Sequence, residues 1–312
     1  MSWIILVALI GWALFLYLPY RRDIRNAYAH LDSIERQVVE TECGPIEVAI
    51  RGEGEPVLVS HGIGGGFDQG LGLAEAYLGD GYKIIAPSRF GYHATPLPAD
   101  ATPASQADAF VCLLDALEIE RITVVANSAG GTSAIQMALR HPERIEALVL
   151  ISTAAPTVGE YISLPPKPVI QFVFGSDFLM WMITTHFESM MQPTVGVPGG
   201  YALSEVEQLM VTGVIRSILP IKPRTDGFVF DMFTSNQDMD QHPDQYPMEA
   251  IRVPTLVIHA VDDPLAKYEN AEALAARIPN AKLLSIPSGG HLLLRMEEMV
   301  RAEIARFIES AE

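Results

Sequence analysis

Ser128 lies in the string Ala126-Asn127-Ser128-Ala129-Gly130, between an apolar run at 122–125 and a helical stretch that begins near Gly130. A serine at a tight strand-to-helix turn is held at the strand's C-terminal edge, and the helix N-terminus behind it favours developing negative charge. Such a turn leaves no room for bulky neighbours; the pattern is G-x-S-x-G, with Ala126 the smallest replacement for the first glycine. Serine is a weak nucleophile without an adjacent base, and two further segments could supply the rest of the chemistry. In Val57-Leu58-Val59-Ser60-His61-Gly62-Ile63-Gly64-Gly65-Gly66 an apolar strand runs into a glycine-rich loop whose backbone N–H groups can approach a substrate oxygen. The loop lacks the Gly-Lys-Ser/Thr ending of a phosphate cradle and the G-x-G-x-x-G spacing of a dinucleotide site. Near the C-terminus, an apolar strand at 255–260 leads into Val261-Asp262-Asp263-Pro264. A helical segment at 267–278 and a strand at 282–286 follow, ending in Pro287-Ser288-Gly289-Gly290-His291. An acid thus follows one strand and a histidine follows the next.

The elements that must position these groups alternate. Helical composition at 22–39 leads to strands at 46–51 and 56–60, separated by the turn Gly52-Glu53-Gly54-Glu55. A strand at 83–87, an amphipathic helix at 105–117 and a strand at 147–151 follow. Strand–helix alternation predicts a parallel sheet. From about 156 to 247 the alternation stops. Leu164-Pro165-Pro166-Lys167-Pro168 breaks the chain, and helical segments follow that carry Phe172, Phe174, Phe178, Met180, Trp181, Met182, Met190 and Met191. These residues either pack an insertion onto the sheet or wall an apolar pocket for an acyl or aromatic group.

Serine turn, glycine loop, acid loop and histidine loop, in this order, resemble the α/β-hydrolase fold family. The likeness is to the lid-containing serine hydrolase and esterase branch, similar to haloperoxidase-like and C–C hydrolase-like members. It runs from about residue 46 to the C-terminus and includes Arg89-Phe90-Gly91-Tyr92 and His141-Pro142-Glu143-Arg144-Ile145. The resemblance implies an α/β fold: a mostly parallel β-sheet flanked by helices, with core at 22–155 and 248–312 and an inserted helical lid at 156–247. It implies Ser128 as nucleophile, His291 as base and Asp263 as the acid that orients the histidine. Asp263 is selected over Asp262 by its place three residues after Ala260; Asp262 then caps a turn. The N–H groups of Ile63 and Ala129 would form the oxyanion hole, with Gly64 as the alternative second donor, and His61 would be structural. The expected reaction is cleavage of a carboxylic ester, lipid-derived or aromatic, through an acyl-enzyme. Alternatives are a cofactor-free haloperoxidase (perhydrolase), a C–C bond hydrolase, or a ligand-binding protein without turnover. Epoxide hydrolases and haloalkane dehalogenases carry aspartate at the elbow, so Ser128 counts against both. No cofactor is expected. His30, His93, His141, His186, His242 and His259 are scattered without metal-ligand spacing, so no metal site is expected either.

With 312 residues, 49% of them hydrophobic, the chain can form one large domain with an insertion. The formal net charge of −17 argues against a nucleic-acid partner, whose phosphates would be repelled. Two cysteines, Cys43 and Cys112, are too few for a disulfide framework, and Cys112 on an amphipathic helix reads as a buried thiol. From Ser2 to Tyr20 no side chain is charged, which is close to the roughly 20 residues needed to span a bilayer. Trp3, Tyr17 and Tyr20 sit at its ends, and Arg21, Arg22 and Arg25 follow. Basic residues precede the apolar run in a cleaved signal peptide; none does here. The expectation is a retained single-pass transmembrane anchor at 1–21, a membrane partner, and a catalytic domain on the cytoplasmic side. The sequence leaves the oligomeric state open.

Overall fold

In the computed structural model the described residues are 2–158 and 164–311; Met1, Glu312 and 159–163 of the expected insertion lie outside them. The chain opens with α1 (Ser2–Ser33), then β1 (Gln37–Thr41), β2 (Gly44–Arg51), β3 (Glu55–Ser60), α2 (Phe67–Tyr77), β4 (Tyr82–Pro87), α3 (Pro103–Ala116), β5 (Ile122–Asn127), α4 (Gly131–Arg140) and β6 (Ile145–Ile151). A helical insertion follows: α5 (Lys167–Phe174), α6 (Asp177–His186), α7 (Glu188–Met191), α8 (Glu205–Ser217), α9 (Thr225–Phe233) and α10 (Asp238–Gln241). The sheet resumes with β7 (Thr255–Ala260), α11 (Tyr268–Arg277) and β8 (Ala281–Ile286), and α12 (Glu297–Glu309) closes the chain.

Among the described residues the strands form one sheet in the order β1-β2-β4-β3-β5-β6-β7-β8. The β1–β2 and β2–β4 pairs are antiparallel, and every pair from β4–β3 to β7–β8 is parallel. Parallel strands are covered on both faces, which is why β3, β5, β6 and β7 read as continuous apolar runs. One face packs Phe110, Leu113 and Leu114 of α3 with Ile135 of α4 and Leu274 of α11. The other packs Leu71 and Tyr77 of α2 with Ile304 and Phe307 of α12 and Leu31 of α1. Each such fully buried side chain contributes roughly 1.5–3 kcal/mol. The chain is an α/β fold with a mostly parallel sheet flanked by helices and interrupted by a helical insertion between β6 and β7.

Three expectations are corrected. The stretch 22–39 is not helical throughout: α1 ends at Ser33, and Gln37–Thr41 pairs with β2 as an edge strand. Its β-branched Val38 and Val39 favour that state. Secondly, Cys43 and Cys112 are joined in a disulfide; the turn between β1 and β2 meets α3 there, and neither is a free thiol. Thirdly, among the described residues no helix is long and apolar enough to cross a membrane. This overturns the transmembrane anchor at 1–21, the membrane partner, and the single-pass location with a cytoplasmic catalytic domain. The physical reason is continuity: α1 does not stop at Tyr20 but runs on through Arg21, Arg22, Asp23 and Arg25 to Ser33. That half packs against the insertion. Tyr20 meets Phe178 and Trp181 edge to face at 5.2 and 5.7 Å, Trp181 Nε1 donates to Asp23 at 3.0 Å, and Tyr28 donates to Asp177 at 3.1 Å.

Candidate active site

β5 ends the serine turn in the middle of the sheet, with Ala126 opposite Ser60 of β3 and Leu150 of β6. Ser128 then takes φ +49°, a left-handed conformation that non-glycine residues hold only where the surroundings enforce it. Enforcement is visible: the Ser128 carbonyl accepts from Ala154 N–H at 3.0 Å and from the Thr153 hydroxyl at 3.2 Å. The small-residue demand falls on the C-terminal side of the serine. A Cβ on Gly130 would lie 2.5 Å from the Ser60 carbonyl oxygen, and one on Gly131 would lie 1.5 Å from Thr153 Oγ1. Ala126 is fully buried in the sheet core and its methyl is accommodated there, so the missing first glycine costs the turn nothing.

The acid and the histidine come from adjacent strand ends, since Ala260 of β7 pairs with Ile286 of β8. His291 Nδ1 lies 2.7 Å from Asp263 Oδ2. The other Asp263 oxygen accepts from Leu265 N–H at 2.8 Å and Ala266 N–H at 3.1 Å. Burial alone would raise the Asp263 carboxyl; hydrogen bonds from His259 and His291 and the Leu265 N–H outweigh it and hold it well below the usual carboxylate range. Asp262 does the turn work expected of it. It accepts from Ser288 Oγ at 2.6 Å and from the N–H groups of Gly289 and Gly290, at 3.1 and 2.9 Å to Oδ1, and so shapes the loop that presents His291. The insertion reaches the same loop: His291 N–H donates to the Gly196 carbonyl at 3.0 Å.

The glycine loop is held by a buried charged frame. His61 is buried, with Nδ1 2.8 Å from Gly62 O and Nε2 3.0 Å from the Arg89 N–H. Burial and the nearby Arg89 guanidinium push its pKa well below the ordinary histidine value, so it is neutral and structural. Arg89 donates to the carbonyls of His61 at 2.9 Å and Gly62 at 3.3 Å, and forms a bidentate pair with Asp231 of α9 at 2.7 and 2.5 Å. Tyr92 donates to the same carboxylate at 2.5 Å and accepts from Gly64 N–H at 3.1 Å. A second pair runs the other way: Arg224 from the insertion meets Asp68 of α2 at 2.7 Å and donates to Gly65 O at 2.5 Å. Gly62 N–H donates to Gln69 and Gly65 N–H to Gly62 O. The amides of Gly62, Gly64 and Gly65 are therefore engaged within this frame.

Ser128, Ala129, Ile63 and His291 line one cavity of about 530 Å³, walled further by Thr157, Leu164, Met232, Asn236, Leu265 and Lys267. The Phe-, Met- and Trp-rich positions of the insertion do not line it. Trp181 and Met180 are buried and Phe174 stacks on Phe228 at 3.9 Å, whereas Phe172 and Met190 are exposed. Sequence reading missed His259, whose Nε2 lies 2.7 Å from Ala266 O and 3.3 Å from Asp263 Oδ2; its place four residues before Asp263, near the C-terminal end of β7, was the available signal. It also missed Asp231 and Arg224, for which the sequence carries no local signal.

A family model described as alpha/beta hydrolase fold matches residues 55–175, and one described as TAP-like protein matches residues 233–312. The chain has the α/β-hydrolase fold. A 2-hydroxymuconate semialdehyde hydrolase of Pseudomonas putida is 28% identical over 246 residues, covering 77% of this chain and 82% of that protein. An uncharacterized hydrolase of Bacillus subtilis is 28% identical over 271 residues, covering 82% of this chain and 92% of its own length. Among solved structures, an alpha/beta hydrolase fold protein from Nakamurella multipartita superposes with a TM-score of 0.72 at 27% identity, covering 89% of this chain and all of that one. Residues 1–54 and 176–232 lie outside both matched segments.

Proposed function

We propose that this α/β-hydrolase cleaves a carboxylic ester by nucleophilic catalysis at Ser128. The observation that carries the reading is the shared cavity: Ser128, His291 and the residues of both oxyanion donors line it, with Asp263 hydrogen-bonded behind the histidine. His291 takes the Ser128 proton as the hydroxyl attacks the ester carbonyl, and Asp263 fixes the tautomer and stabilises the imidazolium. The tetrahedral oxyanion accepts from the N–H groups of Ala129 and Ile63. Collapse breaks the bond to the alkoxide, which leaves with the proton held on His291. Water, deprotonated by His291, then cleaves the acyl-enzyme to a carboxylic acid and free Ser128. Residues 156–247 act as a lid over this cavity, and the core is divided as 22–155 and 248–312.

A second reading is C–C bond hydrolysis with the same triad. It is favoured by the 2-hydroxymuconate semialdehyde hydrolase among the relatives and by the polar wall of Asn236, Gln237 and Lys267. The deciding experiment follows p-nitrophenyl esters from acetyl to palmitoyl with wild type and Ser128→Ala. Ester turnover that drops by at least about 10⁴-fold in the variant, at unchanged folding, supports the ester reading. Labelling of Ser128 by a fluorophosphonate with no ester turnover favours the C–C reading, and no labelling at all removes both.

A further inference from the structure

His291 is also the wall of a second cavity, about 570 Å³, on the far side of the glycine loop. α1 contributes Leu31 and Ile34, α2 contributes Leu73, and α8 contributes Met210 and Val214, with Leu219 just beyond it. The helical walls are therefore mostly apolar, and the charged side chains that also line the cleft are already paired, Asp68 with Arg224 and Arg216 with Glu188. Two glycines keep the cleft wide. Gly72 lies inside α2 and Gly213 inside α8, where glycine is less favourable than alanine. Neither position is forced by packing, since a Cβ built at either meets no atom within 4 Å. Both α1 and α8 fall outside the two matched family segments.

The two cavities divide the candidate chemistry. The first is lined by Ser128, Ile63 and Ala129; the second is lined by none of these, yet reaches His291 and Asn127. An acyl carbon must sit against the serine and its oxyanion donors, whereas the leaving oxygen must face the histidine that protonates it. We propose that the cleft between α1, α2 and α8 binds an unbranched apolar chain on the alcohol side of the ester, so that the substrate is an ester of a long-chain alcohol. This rests on the serine-hydrolase reading given above.

The test follows acetate release from alkyl acetates, ethyl to dodecyl, beside p-nitrophenyl acyl esters of matched length, with the full chain and with Gly213→Phe and Gly72→Leu. Wild-type kcat/KM should rise about fourfold per added methylene of the alcohol until the cleft is filled. Each variant should cost the octyl ester at least about tenfold more than ethyl acetate, while the acyl-length profile keeps its shape; circular dichroism checks that both variants fold. A flat alcohol series over measurable ethyl acetate turnover overturns the cleft alone. So does an acyl profile, rather than an alcohol profile, that moves in the variants. Absence of turnover in both series overturns the cleft together with the ester reading on which it rests.

Discussion

Replacing Asp231 by leucine should separate the stability of the glycine loop from its position. Asp231 is fully buried and accepts two hydrogen bonds from Arg89 and one from Tyr92. Removing one partner of a buried ion pair leaves the other uncompensated and costs about 3–5 kcal/mol. Unfolding entropy of about 2.1 cal/mol/K per residue over this chain converts that loss to a fall in Tm of about 5–8 °C. Pairing Asp231→Leu with Arg89→Met removes the stranded charge, and the double variant should recover at least about 2 kcal/mol over Asp231→Leu in urea unfolding. Ester turnover should stay at least about tenfold low in the double variant, because Arg89 no longer holds the two carbonyls, of His61 and Gly62, that immediately precede the Ile63 amide. Two results refute the reasoning: Asp231→Leu within about 1 kcal/mol of wild type, or a double variant no more stable than the single.

Gly196 at φ +86° has its Cβ position 2.1 Å from His291 Cβ, so Gly196→Ala should lower kcat severalfold or more by displacing the histidine, at near-normal labelling of folded protein by conformational antibodies or circular dichroism. His61 has a folded pKa below its unfolded value of about 6.5, so the unfolded state takes up the proton first. Stability should be full above about pH 6.5 and fall as pH drops below it, by at most about 1.4 kcal/mol per unit for this group; urea unfolding at pH 7.5 and 5.5 should show a slope that His61→Gln reduces. The Cys43–Cys112 bridge spans 69 residues, and a loop of that length is worth about 4 kcal/mol in the chain-entropy account. Non-reducing peptide mapping should find the two peptides joined, and Cys43→Ser/Cys112→Ser should lower the urea midpoint; separate peptides from native protein would refute the bond.

What the sequence made legible was whatever is local. β7 at Thr255–Ala260 is recovered residue for residue, and β4, β5, β6 and β8 within two residues, because buried parallel strands are unbroken apolar runs bounded by turns. Asp263 and His291 lie on loops three and five residues past the ends of β7 and β8, and those strand ends are what drew attention to them in the sequence. Elements whose state depends on distant partners were not. Gln37–Thr41 is a strand only by pairing with β2, and the Cys43–Cys112 contact requires knowing that α3 packs beside β1. The apolar opening of the chain suggested a membrane span because composition alone does not show that the helix continues to Ser33 and packs Tyr20, Asp23 and Tyr28 against the insertion.

The insertion is more than a cover. Core and insertion exchange charges of opposite sign across the glycine loop, Arg89 to Asp231 and Asp68 to Arg224, and each arginine also donates to loop carbonyls. Asp68 is held well below the usual carboxylate range: burial would raise it, but His93 and Arg224 outweigh that. A single buried pair is weak evidence of stabilisation, since desolvation offsets attraction. Two reciprocal pairs that converge on one five-residue loop have a positional consequence that one pair lacks. Carbonyls at 61, 62 and 65 are drawn toward guanidinium groups, and the amides of Gly62, Gly64 and Gly65 are engaged elsewhere. The Ile63 amide is the one in that run with no partner among the described residues, and it lines the cavity of Ser128. An insertion held this way cannot swing clear of the loop without breaking both pairs, so rigid opening of α9 would cost both ion pairs at once.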